Sequence, residues 1–89
     1  MTKGFNLWKK AKKIIPGGNN LLSKRPERYA PDIWPNYFKS CRGVEVIDLE
    51  GNKYIDMAQM GLGSSILGYA NPELTDAVCK SALDGVNCT

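Results

Sequence analysis

The sequence predicts an α+β fold: an N-terminal helix, a small three-stranded antiparallel sheet and a following helix. Three observations carry that prediction. Apolar residues recur at helical spacing over 7–15. Strand-forming runs at 44–49 and 53–57 flank Glu50-Gly51-Asn52, where glycine and asparagine tolerate the positive φ of a short reversal. Asn71-Pro72-Glu73 then gives an N-cap, a proline at the first helical position and an acid in the first turn.

The first helix is expected over 7–15. Leu7, Trp8, Ala11, Ile14 and Ile15 fall in one arc, with Lys9, Lys10, Lys12 and Lys13 outside it. Asn6 is the expected N-cap, and Pro16-Gly17-Gly18 stops the helix, so residues 1–18 form the first segment. The lysines read either as a nucleic-acid or membrane-surface patch, or as the solvated face opposite a docked apolar stripe. The second reading is favoured, because few aromatics interleave with the bases and no nucleic-acid module follows.

Residues 19–36 are expected to be irregular, since Pro26, Pro31 and Pro35 exclude a long helix or a central strand. The stretch and its border still carry Tyr29, Ile33, Trp34, Tyr37 and Phe38, too much apolar surface for a linker. That surface is expected to lie against another subunit or a further domain. Residues 37–57 read as a meander, with strands at 37–41, 44–49 and 53–57 and a turn at Arg42-Gly43. A glycine-spaced loop over 58–71 follows, pinned at both ends by regular structure, where function tends to sit. The last helix spans 72–85, with Leu74, Ala77, Val78, Ser81 and Ala82 on one face and Asp84-Gly85 as its stop.

Composition narrows the function classes. A chain of 89 residues allows one small domain, burying roughly 60–65% of the surface its unfolded form exposes. It has no histidine, so no Ser-His-Asp or Cys-His set can form. Cys41, Cys79 and Cys88 are odd in number and lack CxxC spacing, which argues against a zinc site or a disulfide framework and fits a reducing cytoplasm. No apolar run approaches the roughly 20 residues of a membrane span, and no secretory leader is visible. The net charge of +3 is uneven. Residues 1–28 hold eight bases against Glu27, a net of +7, while 29–89 hold four bases against eight acids, a net of −4.

Gly61-Leu62-Gly63-Ser64-Ser65-Ile66-Leu67-Gly68 is not a phosphate loop. Gly63 and Gly68 have Walker spacing, but Tyr69 and Ala70 follow where lysine and a hydroxyl are needed, and Ile66 replaces the third glycine of GxGxxG. Small residues here suit close approach of backbone to a ligand or another chain. Asp48, Glu50 and Asp56 are spaced as turn and strand-end residues and are expected to make capping and turn hydrogen bonds rather than act as acid or base.

Four stretches in order carry a resemblance: Ile15-Pro16-Gly17-Gly18, Gly43-Val44-Glu45-Val46, Asp48 to Asp56, and Ile66-Leu67-Gly68-Tyr69-Ala70-Asn71-Pro72-Glu73. Together they resemble the N-terminal part of class III aminotransferases, in particular the glutamate-1-semialdehyde 2,1-aminomutase branch. Within it, Leu21-Leu22-Ser23-Lys24-Arg25-Pro26-Glu27 and Trp34-Pro35 are similar to aminotransferases placed in surface-polysaccharide sugar pathways. The resemblance runs from about Trp8 to Cys88.

It implies the N-terminal part of a fold type I pyridoxal-phosphate (PLP) transferase. It also implies an obligate homodimer with sites at the subunit interface, and amino transfer to or from a carbonyl of a small or sugar-type substrate. Members are several times longer, so the Schiff-base lysine and the main cofactor ligands are expected beyond Thr89, no catalytic residue falls in this chain, and the chain alone is expected to be inactive. In the aminomutase pattern an arginine after Pro-Gly-Gly holds the substrate carboxylate. By spacing Lys24 takes that place and Arg25 follows; lysine, a compact point charge, lacks the bidentate grip of arginine. The loop departs too: the family's tryptophan is absent, its histidine after Leu-Gly is Tyr69, and the stretch from Asp56 to Leu67 is one residue longer. The implied substrate-binding set is Lys24, Arg25, Met60, Gly61, Gly63, Ser64 and Ser65. The rival reading is a stand-alone interaction module, or a pseudoenzyme fragment docking through its aromatic segment; a third is a nucleic-acid binder using the basic N-terminus.

Overall fold

The computed structural model describes residues 2–30, 32–58 and 65–86. Helix α1 spans Lys3–Ala11, strands β1, β2 and β3 span Phe38–Arg42, Glu45–Asp48 and Lys53–Ile55, and helix α2 spans Pro72–Ala82. The strands form one antiparallel sheet in the order β1-β2-β3. The chain divides into two compact units, Met1–Ser40 with Val46–Tyr54, and Cys41–Glu45 with Ile55–Thr89.

In the first unit, α1 starts four residues earlier than the apolar period predicts. Thr2, not Asn6, is the cap, and its Oγ1 accepts the Phe5 N–H at 3.1 Å. The Gly4 N–H is taken by Glu50 Oε1 at 3.1 Å, so an acid from the β2–β3 turn satisfies a second donor of the first turn. The helix also ends early. Ile15 precedes a proline and is extended (φ −115°, ψ 124°), as the proline ring demands of its neighbour. A 3-10 turn at Pro16–Gly18 follows.

Trp8 is the anchor of α1. It is 6% exposed, edge-on to Phe5 at 5.6 Å, with the Lys12 ammonium 3.6 Å from its ring centre. The buried Gly18 lets the chain pass close to it: with φ 69°, a Cβ there would lie 2.9 Å from Trp8 Cδ1. Tyr37 closes this packing by donating to the Gly18 carbonyl at 2.7 Å. Of the irregular stretch, Leu22–Lys24 and Pro26–Arg28 are 3-10 turns, Pro26 is fully buried, and Tyr29 stacks on Trp34 at 4.3 Å.

The β2–β3 turn is organised by Asp48, 4% exposed. Its Oδ1 accepts the Glu50 and Asn52 N–H groups at 2.9 and 2.8 Å, and its Oδ2 accepts Asn52 Nδ2 and the Tyr54 hydroxyl, both at 3.0 Å. Burial, the largest single influence, pushes this carboxyl up, but the hydrogen bonds from Asn52, Tyr54 and Glu50 outweigh it and hold it below the usual value. The turn role expected for Asp48 and Glu50 is what both residues fill.

In the second unit, Gly43 (φ 58°) turns the chain between β1 and β2, and α2 follows a cap by Asn71, whose Oδ1 accepts the Leu74 N–H at 3.1 Å. The helix ends at Ala82 rather than 85, with Gly85 at φ 115° just beyond. No residue of α2 is buried. Strand β3 ends two residues before the predicted limit because Asp56 turns the chain: its Oδ1 accepts the Ala58 N–H at 2.7 Å.

Among the described residues the buried hydrophobic side chains are Trp8 and Val46. Ile14, Ile33, Met57, Ile66 and Leu83 are each more than four-fifths exposed. Glycine, a buried proline and polar turns hold the segments, and apolar burial is thin.

Candidate functional site

Lys24 and Arg25 lie in the first unit, where the 3-10 turn at Leu22–Lys24 ends. Asn19 Nδ2 donates to the Lys24 carbonyl at 3.2 Å, and the Lys24 side chain is exposed. Arg25 is half-buried and folds back on the Pro-Gly-Gly turn. Its Nη2 reaches the Pro16 carbonyl at 3.4 Å, and its Nε is buried without a hydrogen-bond partner. The fit depends on Gly17: at φ 75°, a Cβ there would lie 2.1 Å from Arg25 Nε. The two cations expected to share a task therefore differ, Lys24 reaching into solvent and Arg25 held against backbone.

A cleft of about 350 Å³ also lies in the first unit, walled by Phe5, Trp34 and Tyr54 and by Asp48, Glu50 and Asn36. Two of its three acids are occupied, Asp48 by four donors and Glu50 by the Gly4 N–H; the third is Asp32. Tyr54 is pushed up from the usual phenol value by its bond to Asp48 and by burial.

Of the loop candidates, Met60, Gly61, Gly63 and Ser64 lie outside the described residues. Ser65 is described, in the second unit: it is half-buried at the start of a turn, and its carbonyl accepts the Gly68 N–H at 2.8 Å. Gly68 sits against Gly43, where an added Cβ would meet backbone atoms at 3.2 Å. Tyr69 pairs with Gly43 through two backbone hydrogen bonds of 2.8 Å and gives its hydroxyl proton to Asp56 Oδ2. Burial, then that bond and the Asp56 charge, push the Tyr69 phenol up to about 12. Cys41 is pushed up as well, by burial and by Asp56.

This Asp56–Tyr69 pair is the feature that the sequence alone did not reveal. Asp56 reads as a strand end and Tyr69 as a departure from a pattern; nothing in their spacing says that one bonds the other. Every lysine is exposed, and no group of three or more His, Cys, Asp or Glu among the described residues could hold a metal ion. No helix among the described residues is long and apolar enough to cross a membrane.

No family model matches the chain. Curated relatives do. Glutamate-1-semialdehyde 2,1-aminomutase 1 of Listeria welshimeri is 36% identical over 86 residues, 97% of this chain and 19% of that protein. The 3-aminobutyryl-CoA aminotransferase of Cloacimonas acidaminovorans is 35% identical over 88% of this chain and 18% of its own length. Two solved structures superpose with a TM-score of 0.75. One is an omega-transaminase from Sphaerobacter thermophilus, 28% identical over 96% of this chain and 18% of its own. The other is the FumI protein of Sphingopyxis sp. MTA144 in its PLP internal aldimine form, 27% identical over 100% and 21%.

The chain is similar to aminotransferases and aminomutases. It spans about a fifth of the length of the relatives it matches. The aminotransferase likeness extends from end to end of the described structure, so the helix, the meander and the second helix correspond as one series to a segment of those enzymes.

Proposed function

We propose that this chain is the N-terminal segment of a PLP-dependent, aminomutase-like aminotransferase. The full-length protein would move an amino group to or from a carbonyl of a small or sugar-type substrate, with an amino donor and acceptor as its small-molecule partners. The observation that carries the reading is the match to an omega-transaminase structure and to a PLP internal aldimine structure, each at a TM-score of 0.75 over 96% or more of the chain.

The residues present do not fit the cofactor by themselves. A Schiff-base lysine needs an enclosed position, and every lysine here is exposed; Lys80 pairs with Asp76 at 2.8 Å, and Lys12 lies over Trp8. PLP would therefore be held by the rest of the longer protein, and the isolated chain would be inactive. What these residues would contribute is substrate binding: Lys24 and Arg25 as cations for a carboxylate, and Met60, Gly61, Gly63, Ser64 and Ser65 as a close-approach loop. The compartment is the cytoplasm, in keeping with unpaired Cys41 and Cys79.

The same reading makes the protein a homodimer through this segment. The exposed Ile33, Trp34 and Phe38 of the first unit are a surface that a second subunit or the cofactor domain would cover. Function is tested by expressing the full-length protein with PLP and assaying amino transfer from a panel of primary-amine and α-amino-acid donors to pyruvate. Amino transfer by the full-length protein and none by residues 1–89 is the expected result. A full-length protein that binds no PLP overturns the reading and leaves the interaction-module alternative.

A further inference from the structure

We propose that Asp56 and Tyr69 are positioning residues for Ser65. This rests on the reading of Ser65 as a substrate contact. Asp56 spends both carboxylate oxygens locally: Oδ1 accepts the Ala58 N–H at 2.7 Å, and Oδ2 accepts the Tyr69 hydroxyl. Its own N–H donates to the Val44 carbonyl at 2.8 Å. Tyr69 is tied a second time through its backbone, which exchanges two hydrogen bonds with Gly43. One residue earlier, Gly68 lies against the Gly43 backbone and donates its N–H to the Ser65 carbonyl.

The path from carboxylate to serine is thus short and continuous: Asp56 to the Tyr69 ring, Tyr69 to Gly68 along the chain, Gly68 to Ser65. Each step is a hydrogen bond or a covalent link. Ala70, next in sequence, is the one non-glycine residue among those described with positive φ, at 53°. Such a conformation persists only where the surroundings over-determine it, as at sites whose geometry must be held. A charge-assisted bond to a carboxylate is the stronger kind, and positioning of a contact group to a fraction of an ångström is what it supplies.

The test uses the full-length protein with Tyr69→Phe, Ser65→Ala and the double variant. Two readouts are taken: amide exchange at Gly68 and Tyr69, and steady-state amino transfer from the same donor panel to pyruvate. Tyr69→Phe is expected to speed exchange at both amides and to raise KM roughly tenfold with kcat within about twofold, as loss of uniform substrate binding does. In the double variant KM should rise no further than in the worse single one, because the tyrosine acts through the serine. Unchanged Gly68 exchange, or KM effects that multiply, overturns the proposal. A wild-type protein without amino transfer removes the functional reading and the positioning role with it, while the exchange result still reports on the clasp itself.

Discussion

The hydroxyl of Tyr69 donates to the carboxylate of Asp56 at 2.5 Å, while the backbone of the same tyrosine pairs in both directions with Gly43. One side chain therefore joins the end of the sheet to the entry of α2. Its proton is held in place: ionisation would set a phenolate against a carboxylate. Tyr69 is expected to titrate at about 12, above the ordinary phenol value of 10.0. Because the folded value is raised, the stability Tyr69 contributes is complete below pH 10 and is lost as pH rises through 12. Phenolate absorbance should show a late phase that Tyr69→Phe abolishes; a titration unchanged by the substitution contradicts the pairing.

Asp48 has the opposite sign. Its carboxyl is held down, so its contribution is present above the ordinary carboxylate value of about 4 and is lost as pH falls through the lower folded value. Asp48→Asn should flatten the acid limb of stability against pH and leave the neutral protein less protected at the Glu50 and Asn52 amides. Tyr54→Phe, which removes one of four donors, should do the same to a smaller degree. Amide exchange across pH 2 to 6 (on the order of two units either side of a carboxylate's value) checks both.

Ala70 carries strain that glycine would not. Ala70→Gly should stabilise the junction by about 0.5–1 kcal/mol, the reverse of placing a Cβ where φ is positive. Amide protection at Asn71 and Tyr69 should rise by a few-fold.

Asn71 caps α2 through its Oδ1. Asn71→Ala should cost about 1 kcal/mol, seen as roughly fivefold faster exchange in the first turn of the helix. Asn71→Ser should restore most of it, since a serine hydroxyl also serves as a cap.

Much of this architecture is legible in the sequence because its signals are local. Glu50-Gly51-Asn52 marks the second hairpin by turn chemistry, and Asn71-Pro72-Glu73 marks a helix start within three residues. What escapes is whatever depends on a partner far along the chain. The true start of α1 rests on Thr2 and on Glu50, the latter 46 residues away, so the apolar period alone points to Asn6. The packing of the Arg25 guanidinium against the Pro16 carbonyl, which Gly17 admits, has no signal in the sequence either. The Asp56–Tyr69 bond spans 13 residues across a glycine-spaced stretch and leaves no periodic trace.

The likeness to a transaminase structure and the exposure of the apolar side chains support the proposal that these residues are the opening of a larger enzyme and take their cover from it. Among the described residues Trp8 and Val46 are a small hydrophobic core, and a chain of this size has little margin to offset the ordering of its backbone. Calorimetry of residues 1–89 alone tests this most directly. The account predicts a broad, non-cooperative heat trace from a chain that does not hold its native amide protection; a sharp two-state melt of a compact monomer would contradict it.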